Sequence, residues 1–96
     1  MAQGGWIYIM TNKPRGVLYT GVTADIARRV HQHKTGVGSQ FCKRYNLDKL
    51  VYTEEHLTIQ EAISREKAVK AWQRTWKIDL IEQANPLWGD LSEGLL

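Results

Sequence analysis

Residues 6–21, Trp6-Ile7-Tyr8-Ile9-Met10-Thr11-Asn12-Lys13-Pro14-Arg15-Gly16-Val17-Leu18-Tyr19-Thr20-Gly21, read as strand, turn, strand. Residues 6–10 are rich in aromatic and β-branched side chains, which suit a pleated, half-buried surface. Residues 11–16 hold Asn, Pro and Gly, each with its own physical reason to turn a chain. Val17 to Thr20 repeat the strand signature, and Gly21 ends it. Strands joined by so short a connection pair antiparallel. With Met10 facing Val17, Tyr8 stands opposite Tyr19, and both phenols point to one sheet face. A slip of one residue would put them on opposite faces.

Outward from this hairpin, Thr23 is the expected N-cap of a helix running from about Ala24 to Lys34, with Asp25 in its first turn. Ile26, Val30 and His33 share one face, Arg29 flanks it, and Arg28 and His31 point away. A short helix is expected within Gln40 to Asn46, with Phe41 and Tyr45 as its apolar contacts, then a strand over Lys49 to Thr53. Thr58-Ile59-Gln60-Glu61 has the form of a capping box. It opens a helix from about Ile59 to Gln83 that ends before Pro86. The first stripe of that helix is Ile59, Ala62, Ile63 and Glu66; Val69, Trp72, Trp76 and Leu80 then drift around the axis. A kink or break between Ala71 and Trp76 reconciles the two. Trp88 and Leu91 pack the tail, Leu87 to Leu96, loosely, and its last residues fray. The expected fold is α+β, a small three-stranded antiparallel sheet flanked by helices. It forms one domain over residues 1–96, with a core of about 5–90.

The chain has 96 residues, of which 43% are hydrophobic and 24% charged, an ordinary globular composition. No apolar run approaches the ~18 residues of a membrane span. The segment Met1-Ala2-Gln3-Gly4-Gly5 lacks the basic and apolar regions of a secretory signal, and Cys42 is the single cysteine. A reducing cytoplasm and no membrane partner are expected. The net charge of +3 is unevenly spread: residues 1–50 carry eight Lys or Arg against two acids, and residues 51–96 carry five against eight. A basic half fits a polyanionic partner such as nucleic acid; it equally fits a solvated basic surface.

Few residues could carry chemistry. Glu66 interrupts an apolar helical stripe, so it is paired, hydrated or bound to a metal, since burying it alone costs several kcal/mol. A salt bridge to Lys70 is the simplest of these. Arg29 and His33 are four apart on one helix flank. Arginine could grip a phosphate with two donors, and histidine could exchange protons near neutral pH; a surface arginine and a hydrogen-bonded buried histidine would look the same in sequence. Tyr8 and Tyr19 could equally be packed aromatics. There is no P-loop, no G-x-S-x-G, no G-x-G-x-x-G and no ligand spacing for zinc. Nothing activates Cys42, which reads as a small core residue, and Trp72, Trp76 and Trp88 read as core more readily than as an interaction surface.

These residues nevertheless fall in a recognisable order: Trp6-Ile7-Tyr8, then Tyr19-Thr20-Gly21, Arg29, His33, Glu66 within Ser64-Arg65-Glu66-Lys67, and Asn85. The pattern resembles the GIY-YIG nuclease superfamily, and most of all its small stand-alone bacterial members. The phrases Tyr8-Ile9-Met10-Thr11-Asn12-Lys13-Pro14, Leu18-Tyr19-Thr20-Gly21-Val22-Thr23, Phe41-Cys42-Lys43-Arg44-Tyr45-Asn46-Leu47 and Ala62-Ile63-Ser64-Arg65-Glu66-Lys67 are similar to that subgroup over roughly residues 5–90. Trp6 replaces the first glycine of the motif, and Val22 stands where some relatives place a lysine.

The resemblance implies a metal-dependent endonuclease acting on DNA phosphodiester bonds, with structured or damaged DNA among its substrates. The alternative is a nucleic-acid-binding module of the same fold without turnover. By carry-over, Glu66 ligates one Mg²⁺ or Mn²⁺, Arg29 holds the scissile phosphate, and Tyr8 or Tyr19 activates water. Tyr8 is preferred as the base with Tyr19 orienting it, and His33 relays the proton. Lys13, Arg15, Lys34, Lys43, Arg44 and Asn85 are the expected nucleic-acid contacts. Hydrolysis of an anionic diester needs positive charge on its non-bridging oxygens and an oriented water. One carboxylate suffices for Mg²⁺, which keeps most of its own waters. A phenol titrating near ~10 needs help from neighbouring cations to act as a base.

Overall fold

The computed structural model describes residues 4–95. The readings that touch Met1 to Gln3 and Leu96 fall outside those residues. The element order is β1 (Gly5–Thr11), β2 (Leu18–Thr23), α1 (Ile26–Lys34), α2 (Gln40–Tyr45), β3 (Lys49–His56), α3 (Ile59–Lys70), α4 (Arg74–Ala84) and a 3₁₀ helix (Leu91–Leu95). The three strands form one antiparallel sheet in the order β2-β1-β3, so the architecture is the expected α+β.

The hairpin register differs from the expected one by two residues. Met10 faces Tyr19, and Tyr8 faces Gly21. The reason lies in the turn. Thr11 stays in the strand, opposite Leu18, and its hydroxyl donates to the carbonyls of Lys13 and Val17 at 2.9 and 2.8 Å. Asn12 Oδ1 accepts from the Val17 amide at 3.0 Å. These bonds add Val17 to the turn. Arg74 of α4 fastens it from outside by donating to the carbonyls of Arg15 and Gly16. Because the shift is an even number, it leaves every side chain on its expected face.

Alternation along β1 therefore divides the core. Ile7 and Ile9 join Ala62 and Val69 of α3, Ile81 of α4 and Trp88 on one side of the sheet. Tyr8 and Met10 join Ile26 and Val30 of α1, Cys42, Leu47 and Leu50 on the other. A β-bulge against Ile9 and Met10 turns Val51 and Tyr52 both toward the first side. The carbonyl of bulged Val51 is met by Asn85 Nδ2 at 3.1 Å. Asn85 also exchanges hydrogen bonds with Gly89, donating to its carbonyl at 2.8 Å and accepting from its amide at 3.1 Å. It stands just past the end of α4, as its position before Pro86 favours.

Other boundaries depart from the sequence reading. The N-cap of α1 is Asp25, whose carboxylate accepts from the Arg28 amide at 3.1 Å, and Thr23 instead receives the Asp25 amide. Strand β3 runs on to His56. There Glu54 accepts from Tyr52 at 2.6 Å, His56 at 2.7 Å and Arg65 at 2.9 Å. Inward-drawn charge of this kind blunts an edge strand. In α2 the buried residue is Cys42, while Phe41 and Tyr45 stay exposed. The long helix does break, over Ala71 to Gln73, and Thr58 caps its first half by accepting from the Glu61 amide at 3.1 Å. Trp88 is firmly buried, Trp72 partly so, and Trp76 and Leu91 are exposed.

Candidate active site

Tyr8 and His33 are the innermost pair. The Tyr8 hydroxyl lies 2.8 Å from His33 Nε2, and both residues are buried. Strand alternation aims Tyr8 at the α1 side of the sheet, and the Ile26–Val30–His33 face of α1 brings the imidazole down onto it. Gly21 makes this possible. A Cβ on residue 21 would stand 2.4 Å from the Tyr8 hydroxyl, so any side chain there would displace this ring. Gly38 plays a similar part behind His33, where a Cβ would come within 2.7 Å of Nδ1. His33 Nδ1 is buried with no hydrogen-bond partner among the described residues.

Tyr19 completes an aromatic trio. Its ring centroid is 6.2 Å from that of Tyr8 and 5.6 Å from that of His33. Tyr19 is only partly buried, unlike Tyr8, whose exposure is 1%. Burial pushes the Tyr8 phenol well above its ordinary value; Tyr19 adds to the rise, and the nearby Arg29 guanidinium opposes it. Burial, then Arg29, hold His33 below the usual histidine value, which favours the neutral imidazole. A neutral imidazole with Nε2 at the phenol can take up a proton. Burial also pushes Cys42 up to about 11, which makes it a poor nucleophile.

The outer wall of the site is the free edge of β2. Two clefts open along it. The larger, about 680 Å³, is lined by Val22 and Thr23 of β2, Arg28, Arg29 and Gln32 of α1, and Ile59 and Ile63 of α3. It contains neither tyrosine. Arg28, expected to point away, shares it with Arg29. The second, about 350 Å³, lies between Tyr19, Phe41, Lys70 and Lys77. Glu66 falls between them, one turn beyond Ile63 and one turn before Lys70, on the same side of α3. Its side chain is 12% exposed, and its ion-pair partner is Lys70 at 3.7 Å. That is a loose pair, and it leaves carboxylate lone pairs for another cation.

The described residues contain no group of three or more His, Cys, Asp or Glu that could hold a metal. A zinc-type cage is therefore not built here. A single hard oxygen donor with lone pairs to spare instead suits an ion that takes its other ligands from water, and Glu66 fits that demand.

The remaining predicted contacts are scattered. Lys43 and Arg44 lie exposed on α2, and Lys13 is exposed in the turn. Arg15 is engaged with Glu82 through two bonds of 3.1 and 2.9 Å. Lys34 donates to the Asp48 carbonyl and to Asp90 Oδ2, both at 2.7 Å. Asn85 serves the bulge and the tail, away from the tyrosines. Sequence reasoning did not single out Lys70, Lys77 or Arg28 as groups lining clefts at the site. Lysines four and eleven residues after Glu66 were the available signal for the first two.

A model of the GIY-YIG catalytic domain matches residues 4–79. A UPF0213 protein of Staphylococcus saprophyticus is 38% identical over 78 residues, which cover 81% of this chain and 94% of that one. A UPF0213 protein of Staphylococcus epidermidis is 37% identical over 68 residues, 71% of this chain and 83% of that one. Another, of Staphylococcus aureus, is 38% identical with the same coverage. No solved structure matches the chain. GIY-YIG domains are nuclease domains that act on nucleic acid and generally use a divalent metal. Among the described residues no helix is long and apolar enough to cross a membrane. With most of its length matched by the domain and by these small bacterial proteins, the chain belongs to the GIY-YIG family.

Proposed function

We propose that the protein is an endonuclease that hydrolyses DNA phosphodiester bonds with one Mg²⁺ or Mn²⁺ ion, all of the chain serving as one catalytic unit. The observation that carries this reading is the buried 2.8 Å hydrogen bond between the Tyr8 hydroxyl and His33 Nε2, set behind Tyr19 at an open edge that also holds Arg29.

A general base must reach the proton that it removes. Tyr19 is the more open phenol, so the roles assigned from sequence are exchanged: Tyr19 meets the attacking water, and Tyr8 with His33 stands behind it. The water oxygen forms a bond to phosphorus as the P–O bond to the leaving strand breaks. The water proton moves to the Tyr19 oxygen as that phenol releases its own proton toward the Tyr8–His33 pair, and the leaving oxygen takes up a proton from solvent. Arg29 faces the non-bridging oxygens with paired donors. Glu66 would hold the divalent ion, which when bound supplies positive charge to the same phosphate.

The test is cleavage of labelled plasmid, single-stranded and branched DNA with Mg²⁺ or Mn²⁺. Tyr19→Phe is expected to lower the single-turnover rate by about 10²–10⁴, the usual range for a lost general base. Binding of DNA without cleavage of any substrate would replace this reading with the binding-module one.

A further inference from the structure

The second cleft carries more than hydrolysis requires. From Tyr8 outward the aromatic rings form a ladder. Tyr8 to Tyr19 is 6.2 Å between centroids, Tyr19 to Phe41 is 6.1 Å with 30° between planes, and Phe41 to Tyr45 is 4.9 Å. The Arg44 guanidinium lies 5.6 Å over the Tyr45 ring. The ladder comes out of the core into solvent: Tyr8 is 1% exposed, while Phe41 is 44% and Tyr45 41% exposed. Lys70 and Lys77 stand on the facing wall; Lys70 pairs loosely with Glu66 at 3.7 Å, and Lys77 Nζ donates to the Lys70 carbonyl at 3.0 Å, with donor hydrogens to spare on each ammonium.

Each feature points to the same kind of occupant. Rings left open to water in a basic groove offer stacking faces to bases and cations to phosphates, the combination by which proteins hold single strands. Contact with a duplex backbone would need the lysines but no exposed rings, because paired bases present only their edges. The volume, about 350 Å³, is at the small end of pockets that enclose organic ligands. The inner end of the groove is Tyr19, and its lysine wall touches Glu66, so a nucleotide held there adjoins the reacting phosphate.

We infer that this groove is a base-stacking subsite for one unpaired nucleotide of DNA, its base on the Phe41 ring and its phosphate toward Lys70 and Lys77. The assignment rests on the nuclease reading for its location beside the scissile bond, and it narrows the substrate class to DNA that is unpaired where it is cut.

The experiment measures binding first, in EDTA, so that it does not depend on cleavage. A short single strand carrying 2-aminopurine, the duplex of the same sequence and the matching RNA are titrated with wild type, Phe41→Leu and Phe41→Trp. Wild type should prefer the DNA single strand and quench the 2-aminopurine. Phe41→Leu should lower the ratio of single-strand to duplex affinity about tenfold, and Phe41→Trp should restore it. Melting curves confirm that the variants fold. An unchanged ratio in Phe41→Leu, no quenching, or preference for RNA would overturn the subsite. The nuclease reading fails separately: a strand that is bound and quenched but never cut with Mg²⁺ or Mn²⁺ keeps the subsite and removes the chemistry.

Discussion

Gly21 lies directly across the hairpin from Tyr8, with the Tyr8 hydroxyl where a Cβ on residue 21 would be, 2.4 Å away. Gly21→Ala must therefore push the phenol off His33 Nε2. Overpacking of this kind costs about 1–3 kcal/mol, read from urea unfolding. The loss of rate should exceed what the loss of folded protein explains. Gly89→Ala is the control, because a Cβ there meets its nearest neighbour at an ordinary 3.9 Å. Equal activity of the two variants would separate Tyr8 from the chemistry.

His33 gives a pH dependence with a definite sign. Its folded value is lowered by burial and then by Arg29, while the unfolded chain titrates near ~6.5. Between those values the unfolded state binds the extra proton, so stability falls as pH falls from above ~6.5. The urea midpoint should drop between pH 7.5 and pH 5, and His33→Gln should remove part of the slope. The acid limb of the single-turnover rate should lie below ~6.5. Asp90 acts in a separate window. Burial alone would raise it, but bonds from Lys34, Ser92 and Leu50 outweigh this and hold it at about 2, against an ordinary 3.8. The stability it contributes is present above 3.8 and is lost as pH falls toward about 2.

Arg28 and Arg29 should separate kinetically although they share one cleft. Arg29→Lys replaces a two-pronged donor with a point charge, and is expected to reduce the rate by about 10² with modest loss of affinity. Arg28→Ala is expected to weaken binding and reduce the salt slope of log K by about 1, leaving the rate of bound substrate intact. Binding isotherms at several salt concentrations, with single-turnover kinetics, check both.

Asn85→Ala should destabilise without slowing cleavage. It strands the bulge carbonyl of Val51 and the Gly89 amide, at a cost of about 1–3 kcal/mol. A fall in single-turnover rate at full folding would instead return Asn85 to the reaction.

What the sequence disclosed depended on the range of the interaction. Alternation in residues 6–10 and 18–20 put both tyrosines on one face even though the register was two residues off, because an error of two preserves the period. The stripe Ile26, Val30, His33 is a matter of helical geometry and was equally plain. The register itself was set by Thr11, Asn12 and the distant Arg74, and no local rule contains Arg74. The Asp25 cap competed with an equally good Thr23. Phe41 was read as an apolar contact, but α2 has six residues and buries Cys42, which turns its ring outward. The second cleft needed α2, β2, α3 and α4 together, and nothing short of the folded chain assembles them.

The central claim is that Tyr19, the Tyr8–His33 pair, Arg29 and Glu66 form one hydrolytic centre along the β2 edge. Its most direct measurement is single-turnover cleavage of an end-labelled DNA strand with Mn²⁺ by wild type and by Glu66→Gln, prepared together and shown to melt alike. The account predicts a metal-dependent product from wild type and a rate at least about 10²-fold lower from the variant. Equal rates, or cleavage by wild type that survives chelation, would contradict it.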